Sequence, residues 1–149
     1  MNQDEFFMLK ALEQADLAWK KNNEVPIGAV IVQKDQIIAI GSNLSITNLD
    51  PTAHAEIIAI RRAAQSINNY RLVETSLYVT LEPCVMCFGA ILHSRIQRLI
   101  FGAKDPKFGA VGSVVNLSNY KWTHQFSYQG GVLEKDCAGI LQEFFKTKR

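Results

Sequence analysis

The chain has 149 residues, 48% of them hydrophobic and 20% charged, with a net charge of +2. Domains run to roughly 100–200 residues, so a single domain over residues 1–149 with its own core is expected. Ample apolar content with little net charge excludes disorder, and the longest apolar runs, Gly28–Val32 and Ile37–Ile40, fall far short of the roughly 18 residues of a membrane span. Asp4 and Glu5 stand near the N-terminus, where a secretory signal would be basic. Three cysteines make an odd set. With Cys84-x-x-Cys87 so tightly spaced, they point to a reducing cytoplasm and to metal or redox chemistry rather than to disulfides.

Taken in chain order, Asp4–Lys20 predicts an amphipathic helix, with Phe7, Met8, Ala11, Leu12, Ala15, Ala18 and Trp19 recurring at spacings of three and four. Ile27–Val32 is a buried-type strand, and Lys34-Asp35 turns the chain into a second strand, Ile37–Ile40. Asp50-Pro51-Thr52 reads as a helix start. The following run Ala53–Ser66 is helical, with Arg61 and Arg62 outward. Ser76–Leu81 is a third strand, ended by Pro83, and Cys84–Ser94 a helix. Arg98–Phe101 is a fourth strand ending at Gly102, Gln125–Tyr128 a weaker strand, and Leu133–Lys146 a closing amphipathic helix. Strands alternating with helices predict a three-layer α/β/α domain. Charge is uneven along it. Residues 1–50 hold 4 basic and 7 acidic side chains, whereas residues 101–149 hold 7 and 4, ending in Lys146, Lys148 and Arg149. A weak basic bias of this kind permits a polyanionic partner without establishing one.

Two clusters carry chemistry, each opening a predicted helix: His54-Ala55-Glu56 and Pro83-Cys84-Val85-Met86-Cys87. Cysteines at i and i+3 on a first turn point to one side, so both sulfurs can reach one ion, and a helix N-terminus favours the thiolate that ligates. One imidazole and two thiolates suit Zn²⁺. Three protein ligands leave the fourth tetrahedral position to water, as in catalytic rather than structural sites. Glu56 beside that water could act as general acid and base. In a continuous helix it would point about 200° away from His54, so a common pocket requires His54 to stand on the frayed first turn. Taken alone each piece is unremarkable. A lone His caps or lies on the surface, which is the reading for His93 and His124. A lone Cys-x-x-Cys is a redox motif, here without a thioredoxin context. Cys137, inside an apolar helical stretch, reads as a buried structural cysteine.

Jointly, H-x-E followed by P-C-x-x-C is the signature of zinc-dependent nucleobase deaminases. From about Leu12 to Phe145 the sequence resembles the bacterial tRNA-specific adenosine deaminases of the cytidine-deaminase-like superfamily. The matching stretches are Glu24–Val30, Asp50–Glu56, Asn69–Leu72, Leu77–Cys87, His93–Ile96 and Phe101–Asp105. The zinc motif is shared with deaminases of free bases, and the flanking stretches narrow the resemblance to the tRNA branch. The resemblance implies a five-stranded mixed sheet, a homodimer, and conversion of the wobble adenosine of an ACG-type anticodon loop of tRNA to inosine with release of ammonia. It implies zinc held by His54, Cys84 and Cys87, with Glu56 moving protons. Asn43 would bond the target base, and the backbone at Ala55 and Pro83 would hold base and water. Arg71, Arg95, Lys104 and Lys107 become candidates for RNA phosphate contacts. Phe144-Phe145 could stack on a loop base, although packing is the commoner role at a helix end. Phe108 departs from the small or polar residue of many members, and Asn116–His124 follows the family poorly and receives no role. Two alternatives remain: a zinc deaminase of a free base or nucleotide such as guanine, cytosine or dCMP, and a zinc-stabilised RNA-binding module without catalysis.

Overall fold

The computed structural model describes residues 1–148, and Arg149 of the basic tail lies outside them. Helix α1 (Gln3–Asn22) starts where Asn2 and Glu5 cap each other: the Asn2 side chain accepts from the Glu5 N–H at 2.8 Å, and the Glu5 carboxylate accepts from the Asn2 N–H at 3.1 Å. This reciprocal pair satisfies two of the first turn's free donors. Strands β1 (Gly28–Gln33) and β2 (Gln36–Ser42) form a hairpin. Lys34 and Asp35 both take left-handed backbone there, with φ of 51° and 62°, the turn whose twist matches that of the flanking strands.

Helix α2 (Ala55–Ile67) begins two residues later than the sequence predicts. Asp50 does not cap it. Its carboxylate instead accepts from the Thr52 N–H at 2.9 Å and the Thr52 hydroxyl at 2.7 Å, closing a separate turn. Strand β3 (Thr75–Leu81), helix α3 (Val85–Ser94), strand β4 (Arg98–Ala103), a 3-10 turn at Leu117–Asn119, strand β5 (Ser127–Gln129) and helix α4 (Glu134–Lys146) complete the chain. The unassigned segment 116–124 packs Leu117 against the core on the α2/α3 side, and its Trp122 indole N–H donates to the Leu117 carbonyl at 2.7 Å.

The sheet order is β2-β1-β3-β4-β5. β1 is antiparallel to both β2 and β3, while β3–β4 and β4–β5 are parallel, giving the expected five-stranded mixed sheet. Because side chains alternate along a strand, each central strand feeds two cores. Ala29, Ile31, Leu77, Val79, Leu99 and Phe101 meet α2 and α3 on one face. Val30, Val32, Tyr78 and Ile100 meet Phe7, Met8 and Ala11 of α1 and Cys137 of α4 on the other. Cys137 is fully buried, in agreement with its structural reading, and burial pushes its thiol up to about 12. Among the described residues no helix is long and apolar enough to cross a membrane. This arrangement sets the N-termini of α2 and α3 side by side, at the β2–α2 and β3–α3 connections.

Candidate active site and metal centre

His54 and Cys84 are the N-cap residues of α2 and α3. Both have extended backbone, with φ, ψ of −72°, 158° and −79°, 177°. Neither side chain is therefore committed to its helix's spiral, and the condition for His54 and Glu56 to share a pocket is met. The His54 Nδ1 lies 3.6 Å from the Cys84 Sγ and 3.6 Å from the Cys87 Sγ, and the three donor atoms lie within 4.8 Å of one another. Zinc–sulfur and zinc–nitrogen bonds of about 2.3 and 2.05 Å opening at a tetrahedral angle put N and S roughly 3.6 Å apart. The donor set and its spacing both fit zinc.

The electrostatics suit a cation as well. The Cys87 thiol donates to the Cys84 sulfur, the largest of the influences that bring the Cys84 thiol down to about 4, while Cys87 itself is held far up. Contact with the Cys84 sulfur also raises His54. Proton and cation compete for these ligands, so loading the site would release protons. Glu56, 4% exposed, occupies the second position of α2. Burial pushes its carboxyl up to about 7, and the negative Cys84 sulfur adds to the effect. A carboxylate tuned to neutral pH is suited to taking and returning protons.

His54, Glu56 and Cys84 line a cavity of about 330 Å³ that also takes in Val25, Ile27, Asn43, Ser45 and Phe108, while Cys87 is buried. Asn43 is oriented by its neighbour: the Ser45 hydroxyl donates to its Oδ1 at 2.9 Å, which leaves the Nδ2 hydrogens as the free donors. Ala55 is the first residue of α2, where a backbone N–H has no partner within the helix. The Pro83 carbonyl accepts from the Ala110 N–H at 2.9 Å. Lys104 and Lys107 are exposed at a second, adjoining groove of about 740 Å³ that shares Phe108 with the first. Arg71 and Arg95 are not brought to the cavity. They sit together beyond the C-terminal ends of α2 and α3, and helices of that length put them roughly 15–20 Å from the cluster. The Phe144-Phe145 pair divides: Phe144 is buried against Trp19 at 5.4 Å, and Phe145 is half-exposed in the lysine-bordered groove.

Two buried carboxylates escaped sequence reasoning. Glu24 accepts from the Ile46 N–H, the Thr47 N–H and the Thr47 hydroxyl, at 3.3, 2.6 and 2.7 Å, and so ties down the loop that follows Asn43. Glu82 accepts from the loop after β4. Although burial works to raise it, the Ser113 hydroxyl and the N–H groups of Asp105, Val111 and Ser113 hold it below the usual carboxylate range. A Glu in a loop carries no sequence signal of burial, because charged residues are exposed by default.

Residues 1–149 match the MafB19-like deaminase family. The chain is 53% identical over 148 residues to the tRNA-specific adenosine deaminase of Haemophilus influenzae, covering 98% of this chain and 85% of that protein. Its fold superposes with a TM-score of 0.87 and 44% identity on a structure from biochemical and structural studies of A-to-I editing by tRNA:A34 deaminases at the wobble position of transfer RNA, covering 91% of this chain and 99% of the other. It also resembles guanine deaminase from Bacillus subtilis, at 33% identity and a TM-score of 0.68, over 83% of this chain and 88% of that one. The chain belongs to the MafB19-like deaminases and, within them, to the tRNA-specific adenosine deaminase family.

Proposed function

We propose that this protein hydrolytically deaminates the wobble adenosine of a tRNA anticodon loop of the ACG type, giving inosine and ammonia. The observation that carries the reading is the meeting of the His54/Cys84/Cys87 donors with a buried, neutral-tuned Glu56 in a cavity open to a base. His54, Cys84 and Cys87 would hold zinc, one ion per chain, and bound zinc supplies the Lewis acidity that makes hydroxide available near neutral pH. Glu56 accepts one proton of the attacking water and passes it to the ring nitrogen next to C6. It then takes the second proton from the hydroxyl added at C6 and delivers it to the amine, so that the C6–N bond breaks, ammonia leaves and the C6 carbonyl forms. The free Asn43 Nδ2 hydrogens donate to an acceptor on the base, and the Ala55 N–H and the Pro83-Cys84 turn fix base and water. A pocket this recessed takes a base splayed out of its strand, which is far easier for a loop nucleotide than for one in a duplex.

The geometry divides the basic residues. Lys104 and Lys107 line the groove that adjoins the cavity and would meet phosphates beside the splayed base. Arg71 and Arg95 would meet RNA farther along. Replacing Lys104 and Lys107 together by Ala should reduce the slope of log(kcat/KM) against log[salt] on an anticodon stem-loop by about 0.7 per lost contact. Arg71→Ala and Arg95→Ala should leave that slope unchanged on the minimal stem-loop and lower it on full-length tRNA. An unchanged slope in the double lysine variant would remove these residues from the RNA path.

A homodimer, acting in the cytoplasm where tRNA is found, is part of the same proposal. It is supported by exposed Val85, Val114, Val115 and Trp122, which gather about the start of α3, with exposed Tyr120 against Trp122. The deciding experiment incubates the purified, zinc-loaded protein with an ACG stem-loop and reads inosine as A appearing as G on sequencing, with adenosine, guanine and cytosine as parallel substrates. Conversion of the wobble A alone is the expected result. Ammonia from guanine with no change in RNA would move the chain to the free-base chemistry of its Bacillus subtilis structural relative.

A further inference from the structure

Glu82 is only 2% exposed and lies between β3 and α3, two positions before Cys84. All of its carboxylate's partners come from one loop. Oε1 accepts from the Asp105 N–H at 3.1 Å and the Ser113 hydroxyl at 2.5 Å, and Oε2 from the Val111 N–H at 2.9 Å and the Ser113 N–H at 3.1 Å. The stretch from Asp105 to Ser113 is otherwise irregular, and an irregular loop holds one conformation only when such bonds specify it. This loop supplies Asp105 and Phe108 to the cavity wall and Lys107 to the adjoining groove.

Gly109 shows how close the approach is. A Cβ at that position would fall on the Glu82 carboxylate and 2.6 Å from the Asp105 carbonyl oxygen. The loop thus reaches Glu82 through a residue without a side chain, while the Glu82 backbone continues directly into the turn that presents Cys84. Among the described residues, no other side chain makes four hydrogen bonds to this loop.

We propose that Glu82 is a positioning residue, the anchor that fixes the 105–113 loop against the metal-ligand turn and so sets how firmly the RNA loop is held, without taking part in the chemical step. The proposal rests on the tRNA reading given above. Its consequence is a separation of effects. Loss of the anchor leaves His54, Glu56, Cys84 and Cys87 where they are but lets the wall carrying Lys107 and Phe108 move.

The test compares zinc-loaded wild type with Glu82→Gln, Ser113→Ala and Gly109→Ala, measuring zinc content, KM and kcat on the ACG stem-loop, and the rate of trypsin cleavage after Lys107. Glu82→Gln keeps the size of the side chain but turns an NH₂ toward N–H donors. Its KM should rise about tenfold or more, the factor for losing a charge-assisted hydrogen bond. The kcat should stay within about threefold, zinc should stay at one per chain, and cleavage after Lys107 should accelerate. Ser113→Ala, which removes only the hydroxyl bond, should show the same pattern more weakly, and it carries the test should Glu82→Gln or Gly109→Ala fail to fold. Unchanged KM with faster cleavage would overturn the proposal, because the loop would then be free and the RNA indifferent to it. A fall in kcat at constant KM and full zinc would also overturn it, by placing Glu82 in the chemistry. Absence of inosine with the wild type would instead remove the tRNA reading, while the trypsin comparison would still show whether Glu82 anchors the loop.

Discussion

Glu56→Gln should lower inosine formation by at least about 10²–10⁴-fold, the range for losing a positioned general acid–base group, while the protein stays folded and keeps zinc at one per chain. The amide fills the same space on the first turn of α2 and leaves all three donor atoms in place, so activity and metal content should part company. Loss of zinc together with activity would make Glu56 a structural support of the metal site instead. The zinc-stabilised RNA-binding module, the reading without catalysis, predicts no turnover in the wild type either and is excluded by the same pair of assays.

Metal-free protein gives the substitution a second, opposite consequence. Burial raises the Glu56 carboxyl from its usual value near 4.5 to about 7. A carboxyl that is harder to ionise in the folded chain contributes stability in full below its unfolded value, and that contribution is lost as pH rises through the folded one. Chelator-treated wild type should therefore lose stability between about pH 4.5 and 7 through this group. Glu56→Gln has no such group and should melt above the wild type at pH 8 but not at pH 4.5. Because Glu56 interacts with His54 and Cys84, the difference between the two proteins reads the titration of the cluster with and without Glu56 rather than that of Glu56 alone. Equal melting at pH 8 would mean that the Glu56 carboxylate is solvated or paired in the folded protein. The residue that serves the reaction is thus expected to weaken the metal-free fold.

The metal cluster was legible in the sequence because its logic is local. Each donor stands at a helix start, and the spacing of Cys84 and Cys87 is fixed by one turn of α3. The sheet was legible through alternation, since Ala29/Ile31 and Val30/Val32 feed opposite cores. What could not be read depends on side chains choosing distant partners. Asp50 and Thr52 look like a helix cap and bond one another instead, so α2 starts at Ala55 with His54 as its cap. Glu24 and Glu82 look like surface charges and are among the most buried side chains in the protein, because loops 22 to 31 residues away bring N–H groups to them. Arg71 and Arg95 lie near matching motifs in sequence and at the far ends of the helices in space. Asn43 was found by resemblance alone, and nothing in its own neighbourhood announces that Ser45 orients it.

Gly41→Ala should destabilise the protein by about 2–4 kcal/mol, beyond the ordinary cost of overpacking, and should weaken zinc binding at the same time. Gly41 lies in β2 opposite Ala29, and the first turns of α2 rest directly on it. A Cβ there would stand 2.5 Å from the Ala55 carbonyl oxygen and 2.7 Å from the Ala59 nitrogen. Both are backbone atoms that cannot swing aside, so the N-terminal end of α2 must lift as a body. That end carries His54 as its cap and Glu56 in its first turn, whereas Cys84 and Cys87 ride on α3 and stay behind. The 3.6 Å separations between the imidazole and the two sulfurs would open. Displaced support of this kind costs about 10–100-fold in metal affinity. A fall in melting temperature of roughly 4–16 °C follows from the stability loss for a domain of this size. Gly89→Ala is the control. It lies on α3 two residues past Cys87, nothing stands within 4 Å of the added carbon, and a mid-helix alanine should gain about 0.5–1 kcal/mol. Thermal melts and competition with a chromogenic zinc chelator check both variants. A Gly41→Ala protein that melts with the wild type and holds zinc as tightly would show that the α2 terminus tolerates displacement, and that the match between helix seat and ligand geometry is not what sets the site.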